Sequence, residues 1–132
     1  LRNLEATREF VVNVVPYALA ESMNACAALL PHGESEFEAF GIAAAPSTHV
    51  RPPRVAASPV AFECALHSVV HIGEGAGAAN VVFGRILGMH VDDAVLGADG
   101  LPDAAKLDLV GRLGREDYAR TTERFTIKRP DR

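Results

Sequence analysis

The sequence contains no tryptophan, and only 6% of its 132 residues are aromatic. Its two cysteines, Cys26 and Cys64, are too few for a disulfide framework. No apolar run approaches the length of about 18 residues that a membrane-spanning helix needs, and no basic start with an apolar core opens the chain. These absences argue against a disulfide-rich secreted domain and against a helical membrane protein. We therefore expect a cytoplasmic protein with two buried, reduced thiols.

Two common nucleotide-binding motifs are absent as well. The chain has no Gly-Lys-Ser/Thr sequence of the P-loop type. The glycine-rich segment 73–77 (GEGAG) is followed by a strand pattern, whereas a dinucleotide fingerprint requires a helix after it. This segment predicts a β-turn, and neither a P-loop nor a Rossmann site is expected.

The composition is that of one soluble globular domain, with 48% hydrophobic residues, 23% charged residues and a net charge of −4. The charge is unevenly placed, because residues 112–132 hold seven Lys/Arg and four Asp/Glu, whereas the rest of the chain is strongly acidic. The basic end could meet phosphates or could be a solvated surface. The acidic remainder and the few aromatic residues argue against nucleic-acid binding.

Hydrophobic periodicity predicts a β-rich chain with short helices. Strands are predicted at 9–15, 60–72 and 80–91, a short strand near Val95 and a possible last strand at 124–128; helices are predicted at 1–7, 17–30 and 35–40. Residues 41–59 hold four prolines and are predicted to form a long loop. Gly84 and Gly88 in the 80–91 strand indicate bulges or close backbone contacts. The first helix has no capping residue before it, so we expect the chain to be part of a longer protein.

The strand at 60–72 alternates and is predicted to bury one face. Glu63, His67 and His71 would then point to solvent on the other face, at steps of four residues. Steps of that size separate the side chains by roughly 13 Å, too far for three ligands of one metal. The cluster His90, Asp92 and Asp93 could form an acid/base pair, but its position favours a strand end with a turn cap.

Two further groups could bind a ligand. Asn80 stands where the glycine turn meets a strand, so it is either a turn residue or an amide that holds a ligand carbonyl or ring nitrogen. Arg112, Gly114 and Tyr118 combine a planar cation, a flexible backbone and a phenol, a set that suits a phosphate or a flat ring. The residues alone equally allow the start of a surface helix held by local charge pairs.

Several segments together resemble one family. In order they are LRNLEATREFVVNVV, SEFEAFGIAAAPSTHVRPPRVAASPVAFECAL, NVVFGRILGMHVDD and RLGREDYAR. They are similar to the flavin reductase-like, FMN-binding split-barrel proteins, which include flavoredoxin-type members, and the resemblance covers nearly all 132 residues. It implies a mainly β (α+β) fold, a Greek-key split β-barrel with short helical insertions, that forms a homodimer with FMN near the interface.

The resemblance also implies an activity. Members reduce flavin by hydride transfer from NADH or NADPH, so that the cofactor supplies the redox chemistry. Two alternatives share the same fold, a non-catalytic FMN-binding electron carrier and an inactive, truncated member. The family extends several dozen residues further upstream, so residues 1–132 would form an N-terminally incomplete domain.

The resemblance assigns roles to particular residues. Asn3, Asn80, Arg112, Gly114 and Tyr118 match positions near the cofactor, and Glu36 and Phe37 match a helix that leads into the loop over the substrate. No catalytic side chain and no metal ligand are expected. Where the family often has a second glycine, this chain has Arg115.

Overall fold

The computed structural model describes residues 1–75 and 77–130, and strands predominate over short helices. The helices are α1 (Arg2–Thr7), α2 (Ala20–Ala25), α3 (Glu36–Ala39) and α4 (Ala104–Leu107). The strands are β1 (Glu9–Asn13), β2 (Ala44–Ala45), β3 (Arg54–Val55), β4 (Val60–Ile72), β5 (Ala79–Val91), β6 (Val110–Gly114) and β7 (Asp117–Arg120). No helix in the described part of the chain is both long and apolar enough to cross a bilayer.

The central element is a three-stranded antiparallel sheet in the order β1-β4-β5. Phe10 lies opposite Cys64 on one side of β4, and Ala61 lies opposite His90 on the other. The three strands match the predicted segments to within two residues at each end. The glycine turn between β4 and β5 is also confirmed, since Gly73, Gly75 and Gly77 all adopt positive φ.

Both faces of the first half of β4 are buried, which corrects the prediction of one buried face. Val60, Cys64 and Leu66 lie on one face, and Ala61 and Glu63 lie on the other. The long loop covers the second face, because its backbone binds the Glu63 side chain. The distal half of the strand also differs from the prediction. Its apolar residues were expected to be buried, but they are largely exposed.

Two glycines of β5 permit close contacts, as their pattern predicts. A Cβ atom on Gly84 would lie 2.9 Å from Cε1 of Phe10, and a Cβ atom on Gly88 would lie 2.8 Å from Nε2 of His49. The register of β4 and β5 shifts beside both glycines. The missing side chains therefore let one aromatic ring pack against each face of the sheet.

The predicted loop at 41–59 contains one small ladder, the antiparallel pair β2 and β3. Asn13 accepts a hydrogen bond from the Val55 N–H at 2.9 Å, and the buried Ser58 hydroxyl lies 2.7 Å from the Val14 carbonyl oxygen. These bonds fix the loop against β1, where it closes over the central sheet.

The three predicted helices exist where they were expected, but they are shorter, and α4 at Ala104–Leu107 was not predicted. The predicted helix at 17–30 is a 3₁₀ turn at Tyr17–Leu19 followed by α2, which ends at Ala25. None of the α2 residues is buried, so little packing stabilises further turns. Ser35 is the N-cap of α3, as predicted, although its side chain makes no capping hydrogen bond.

The C-terminal third differs most from expectation. Asp93–Val95 forms a 3₁₀ helix where a short strand was predicted, and Asp92 caps it by accepting from the Ala94 N–H. Residues 124–128 form no strand, and the side chains of Phe125 and Ile127 are about 80% exposed, at 84% and 79%. The hairpin β6–β7 replaces the helix start considered for this segment.

Among the described residues, β5 pairs only with β4, so its outer edge carries no strand. Several large apolar side chains of β5 are exposed, namely Val81, Phe83, Ile86, Leu87 and Met89. The first half of β4 differs, because most of its side chains are buried and it is paired with a strand on each side.

Candidate functional site

The main cleft lies between the segment 17–24 and the β6–β7 hairpin and has a volume of about 700 Å³. One wall comes from the 3₁₀ turn and α2, and the other comes from the hairpin. Its lining residues are Tyr17, Ala20, Glu21, Met23, Asn24, Val110, Arg112, Arg115, Glu116, Tyr118, Ala119 and Arg120. A cleft of this size holds a drug-sized or nucleotide-sized ligand.

Backbone hydrogen bonds join the two walls. The Tyr17 N–H donates to the Asp108 carbonyl at 2.8 Å, and the Val110 N–H donates to the Val15 carbonyl at 3.3 Å. Pro16 forms an isolated antiparallel bridge with Leu109. The cleft is therefore tied to the end of β1.

Arg120 is held firmly in this cleft. Its guanidinium donates two hydrogen bonds of 2.6 Å to the Asp108 carboxylate and lies 4.2 Å from the centre of the Tyr17 ring. These side-chain hydrogen bonds lower the pKa of Asp108 and raise the pKa of Arg120. The positive charge of Arg120 is consequently compensated within the protein.

Arg112 and Arg115 make no ion pair within residues 1–75 and 77–130. Arg112 Nη2 donates to the Arg115 carbonyl at 3.0 Å, and its guanidinium lies 6.0 Å from the Tyr118 ring centre. These two cations can therefore bind an anionic ligand, with a phenol ring beside them. The strand β6 ends at Gly114, whose φ of 128° favours glycine.

Arg115 has a left-handed backbone, with a φ of 49°. Glycine adopts this conformation without strain, whereas an L-residue with a side chain does not. The turn geometry is thus one that suits glycine, even though this chain has a charged residue there.

A second polar centre lies inside the sheet around Glu63, whose side chain is fully buried. Its carboxylate accepts backbone N–H groups from three consecutive residues, Thr48 at 2.8 Å, His49, and Val50 at 3.1 Å. It also pairs with Nε2 of His90, whose side chain is 30% exposed. The prediction that Glu63 faces solvent is therefore wrong.

The hydrogen bonds decide the charge of Glu63. Burial alone would raise its pKa, but the bonds from the loop N–H groups and His90 outweigh burial and lower the pKa to about 2. Glu63 therefore remains ionised at neutral pH and clamps the loop to the sheet. Sequence reasoning missed this role because a glutamate on an alternating strand is expected to face solvent.

The cluster at the end of β5 serves structure, as its position favoured. His90 binds Glu63, and Asp92 caps the following 3₁₀ helix. Within the described ranges, no three His, Cys, Asp or Glu side chains are grouped so that they could hold a metal ion. Cys64 is a free, buried thiol whose pKa is raised by burial, and Cys26 is free and half-buried.

The other predicted site residues lie outside the main cleft. Asn3 and Glu36 line a separate groove of about 280 Å³ between α1 and α3, and Phe37 is half-buried on α3. Asn80 lies near the tip of the β4–β5 hairpin, where its Oδ1 is 2.7 Å from Nδ1 of His71. The structure thus places Arg112 and Tyr118 in one cleft and Asn3 and Glu36 in another. Asn80 lines neither of them.

The architecture is that of a mainly β protein with short helices beside an arginine-rich cleft. Residues 1–106 match the family model of the flavin reductase like domain, so the chain belongs to that family. Asn3, Glu36, Phe37 and Asn80 lie inside the matched segment, whereas the residues of the β6–β7 hairpin follow it.

Comparison with individual proteins supports this membership. An uncharacterized protein of Deinococcus radiodurans is 41% identical over 130 residues, covering 96% of this chain and 56% of that protein. Component B of nitrilotriacetate monooxygenase from Bacillus cereus superposes with a TM-score of 0.87 at 28% identity, covering 96% of this chain and 63% of that one. A split-barrel protein of Shewanella frigidimarina superposes with a TM-score of 0.83 at 25% identity, covering 98% and 64%.

The predicted fold class, a mainly β split barrel with short helices, is confirmed by these matches. The chain spans only 56% to 64% of the length of these proteins.

Proposed function

We propose that the protein to which this chain belongs is a flavin reductase-type oxidoreductase that binds FMN and takes hydride from NADH or NADPH. Membership of the flavin reductase like family is the observation that carries the proposal. The absence of P-loop and dinucleotide motifs agrees with it, since the nicotinamide would stack on the flavin rather than occupy a Rossmann site.

The main cleft fits a flavin mononucleotide. Its volume of about 700 Å³ lies in the range of cofactor sites. Two uncompensated guanidinium groups, Arg112 and Arg115, suit the dianionic phosphate, and the Tyr118 ring suits the edge or face of a flat heterocycle. These groups support a phosphorylated aromatic ligand, and they lie in a cleft that Glu21 and Glu116 also line.

FMN, when bound, supplies a ring system that accepts hydride, so the protein needs no nucleophile of its own. Arg112 and Arg115 would hold the phosphate by charge-assisted hydrogen bonds. Gly114 would let the hairpin backbone approach the ligand, and Tyr118 would orient the ring. Asn3 and Asn80 as cofactor contacts, and Glu36 and Phe37 as substrate contacts, remain part of the proposal.

The absorption spectrum of the purified full-length protein, with FMN titrated while flavin fluorescence is recorded, tests the proposal. We expect saturable quenching together with FMN-dependent oxidation of NADH or NADPH. A full-length protein that neither binds added FMN nor oxidises either nucleotide would contradict it. Tight FMN binding with slow nucleotide turnover would instead identify an electron carrier. The same titration on residues 1–132 tests whether this part binds flavin, and an absence of quenching there would identify an inactive fragment.

We also propose a homodimer. Register places Val70 opposite Val81 on one face of the distal hairpin, and Ile72 and Phe83 occupy the same face. All four side chains are between 39% and 53% exposed, and such a face is stabilised when a second copy covers it. Light scattering on the full-length protein should give twice the monomer mass, and Phe83→Ser should shift the equilibrium toward monomer. A monomeric wild-type protein at micromolar concentration would refute the dimer.

A further inference from the structure

Asp108 stands at the junction between the two walls of the main cleft. It follows α4 directly, two residues before β6 begins, and its backbone is left-handed, with a φ of 46°. Aspartate tolerates this conformation better than most residues with a side chain. Such a backbone persists only where surrounding contacts fix it, and it concentrates at binding and catalytic sites.

Asp108 bonds to both walls of the cleft. Its carbonyl oxygen accepts the N–H of Tyr17, on the wall formed by the 3₁₀ turn and α2, at 2.8 Å. Its carboxylate accepts two hydrogen bonds of 2.6 Å from the guanidinium of Arg120, on the hairpin wall. One residue therefore bridges the walls with its backbone and with its side chain.

The contact between Arg120 and Tyr17 closes the set. The guanidinium lies 4.2 Å from the centre of the Tyr17 ring, within the range of a cation–π interaction. Tyr17 and Arg120 line the cleft, whereas Asp108 is not among the described residues that line it. These three residues, called the clamp below, hold the Tyr17 ring in a fixed relation to β7.

We propose that Asp108 is a positioning residue of the main cleft, which sets the separation of the two walls through Tyr17 and Arg120 without touching the ligand. The inference rests on the proposed function, because it concerns the affinity of the cleft for FMN. A ligand that contacts both walls binds more tightly when the walls are already ordered, since ordering them on binding costs free energy.

The charge of Asp108 by itself would act in the opposite direction. Its carboxylate is negative and neutralises Arg120. If the shape of the cleft stayed the same, removing that charge would strengthen the binding of the FMN phosphate. The sign of the change in affinity therefore distinguishes positioning from electrostatics.

Asp108→Asn in the full-length protein tests the proposal, with FMN affinity measured by flavin fluorescence and Tm by circular dichroism. Asparagine keeps the side-chain shape and tolerates the left-handed backbone, but it cannot form the charged pair. We expect the Kd for FMN to rise roughly three- to fivefold. In an Arg120→Gln background the same change should have no further effect, because the clamp is already broken.

Glu9→Gln is the matched control. Glu9 forms a comparable ion pair with Arg51, its side chain is 28% exposed against 27% for Asp108, and it does not line the main cleft. This variant should leave the Kd for FMN unchanged. An equal rise in Kd for Glu9→Gln would overturn the proposal, because it would reflect a general loss of stability.

An unchanged or lower Kd for Asp108→Asn, or a further rise when it is added to Arg120→Gln, would overturn the positioning role and leave the proposed function intact. A wild-type protein that does not bind FMN would instead refute the proposed function, and the positioning role with it. If Asp108→Asn does not fold, Asp108→Gly carries the same comparison, because glycine adopts the left-handed backbone without strain.

Discussion

The carboxylate of Glu63 and the imidazole of His90 form a hydrogen-bonded pair across neighbouring strands, with the Glu63 side chain wholly removed from solvent. The same carboxylate receives the N–H groups of Thr48, His49 and Val50. One ionised side chain thus joins two strands of the sheet to the loop that covers it. The stability of the loop and the support of His90 depend on this one charge.

Replacing Glu63 by glutamine should destabilise the fold. The amide keeps the shape, but its NH₂ group would face N–H donors that now meet a carboxylate oxygen. We expect Glu63→Gln to lower Tm by roughly 5–15 °C in thermal unfolding monitored by circular dichroism. The exposed Glu123→Gln is the control with the same chemical change and should leave Tm unaltered. Equal values of Tm for both variants would show that the buried carboxylate contributes nothing.

Stability should fall in acid for the same reason. The pKa of Glu63 is lowered from 4.5 to about 2 in the folded protein. Its contribution is therefore fully present above pH 4.5 and is lost as the pH falls towards 2. Asp103 and Asp108, whose pKa values are also lowered, act in the same direction. Urea midpoints at pH 7, 4.5 and 3 should drop most between the last two, and Glu63→Gln should flatten this dependence.

Gly88→Ala should disrupt the contact between β5 and the covering loop. The new methyl group would lie 2.8 Å from Nε2 of His49, so the loop has to move. We expect a loss of about 1–3 kcal/mol in the free energy of unfolding, measured by urea denaturation. Gly111→Ala is the control, because nothing lies within 4 Å of its Cβ position. His49→Ala should make the Gly88 substitution less harmful, and strict additivity of the two changes would contradict the predicted clash.

Arg115→Gly should separate stability from ligand binding. Glycine removes the strain of the left-handed backbone at φ 49°, which costs an L-residue about 1 kcal/mol, although added flexibility in the unfolded state offsets part of the gain. The same change removes one of the two uncompensated cleft cations, so FMN affinity should fall. Glu116→Gly is the control for chain flexibility, since Glu116 lacks a positive φ. An Arg115→Gly protein less stable than the control variant would disprove the strain.

Arg112→Ala should weaken FMN binding by about 1–3 kcal/mol, the cost of losing a charge-assisted hydrogen bond to phosphate. The measurement is flavin fluorescence quenching with the full-length protein. Arg129→Ala removes an exposed arginine that does not line the cleft and should bind FMN like the wild type. An unchanged affinity for Arg112→Ala would remove this residue from the site.

The central sheet was predictable because its strands carry strong local signals. The alternation of 60–72 and the β-branched residues around Val11 gave the strands to within two residues, and Gly84 and Gly88 indicated the bulges. The burial of Glu63 was not predictable in this way. Its partners come from a loop about fourteen residues earlier, and periodicity describes only one strand at a time.

The C-terminal segment was less predictable because its sequence is rich in charge and poor in β-branched residues. In the β6–β7 hairpin, Arg112 pairs with Tyr118. The strand propensities of the individual residues do not predict this pairing. Residues 124–128 have a strand-like composition but find no partner strand within the described chain. Of the candidate site, residue chemistry indicated Arg112 and Tyr118, whereas Tyr17 and Met23 on the opposite wall required knowledge of the tertiary arrangement.

The connectivity of the central sheet has a consequence for folding kinetics. The short turn at 73–77 joins β4 directly to β5. By contrast, the chain between β1 and β4 contains α2, α3 and the long loop, so Asn13 pairs with Ala61 only when this long segment is closed. Closing that larger loop costs more chain entropy, so the hairpin is the unit expected to nucleate folding. Substitutions within the hairpin should then slow refolding, whereas those in β1 should mainly accelerate unfolding.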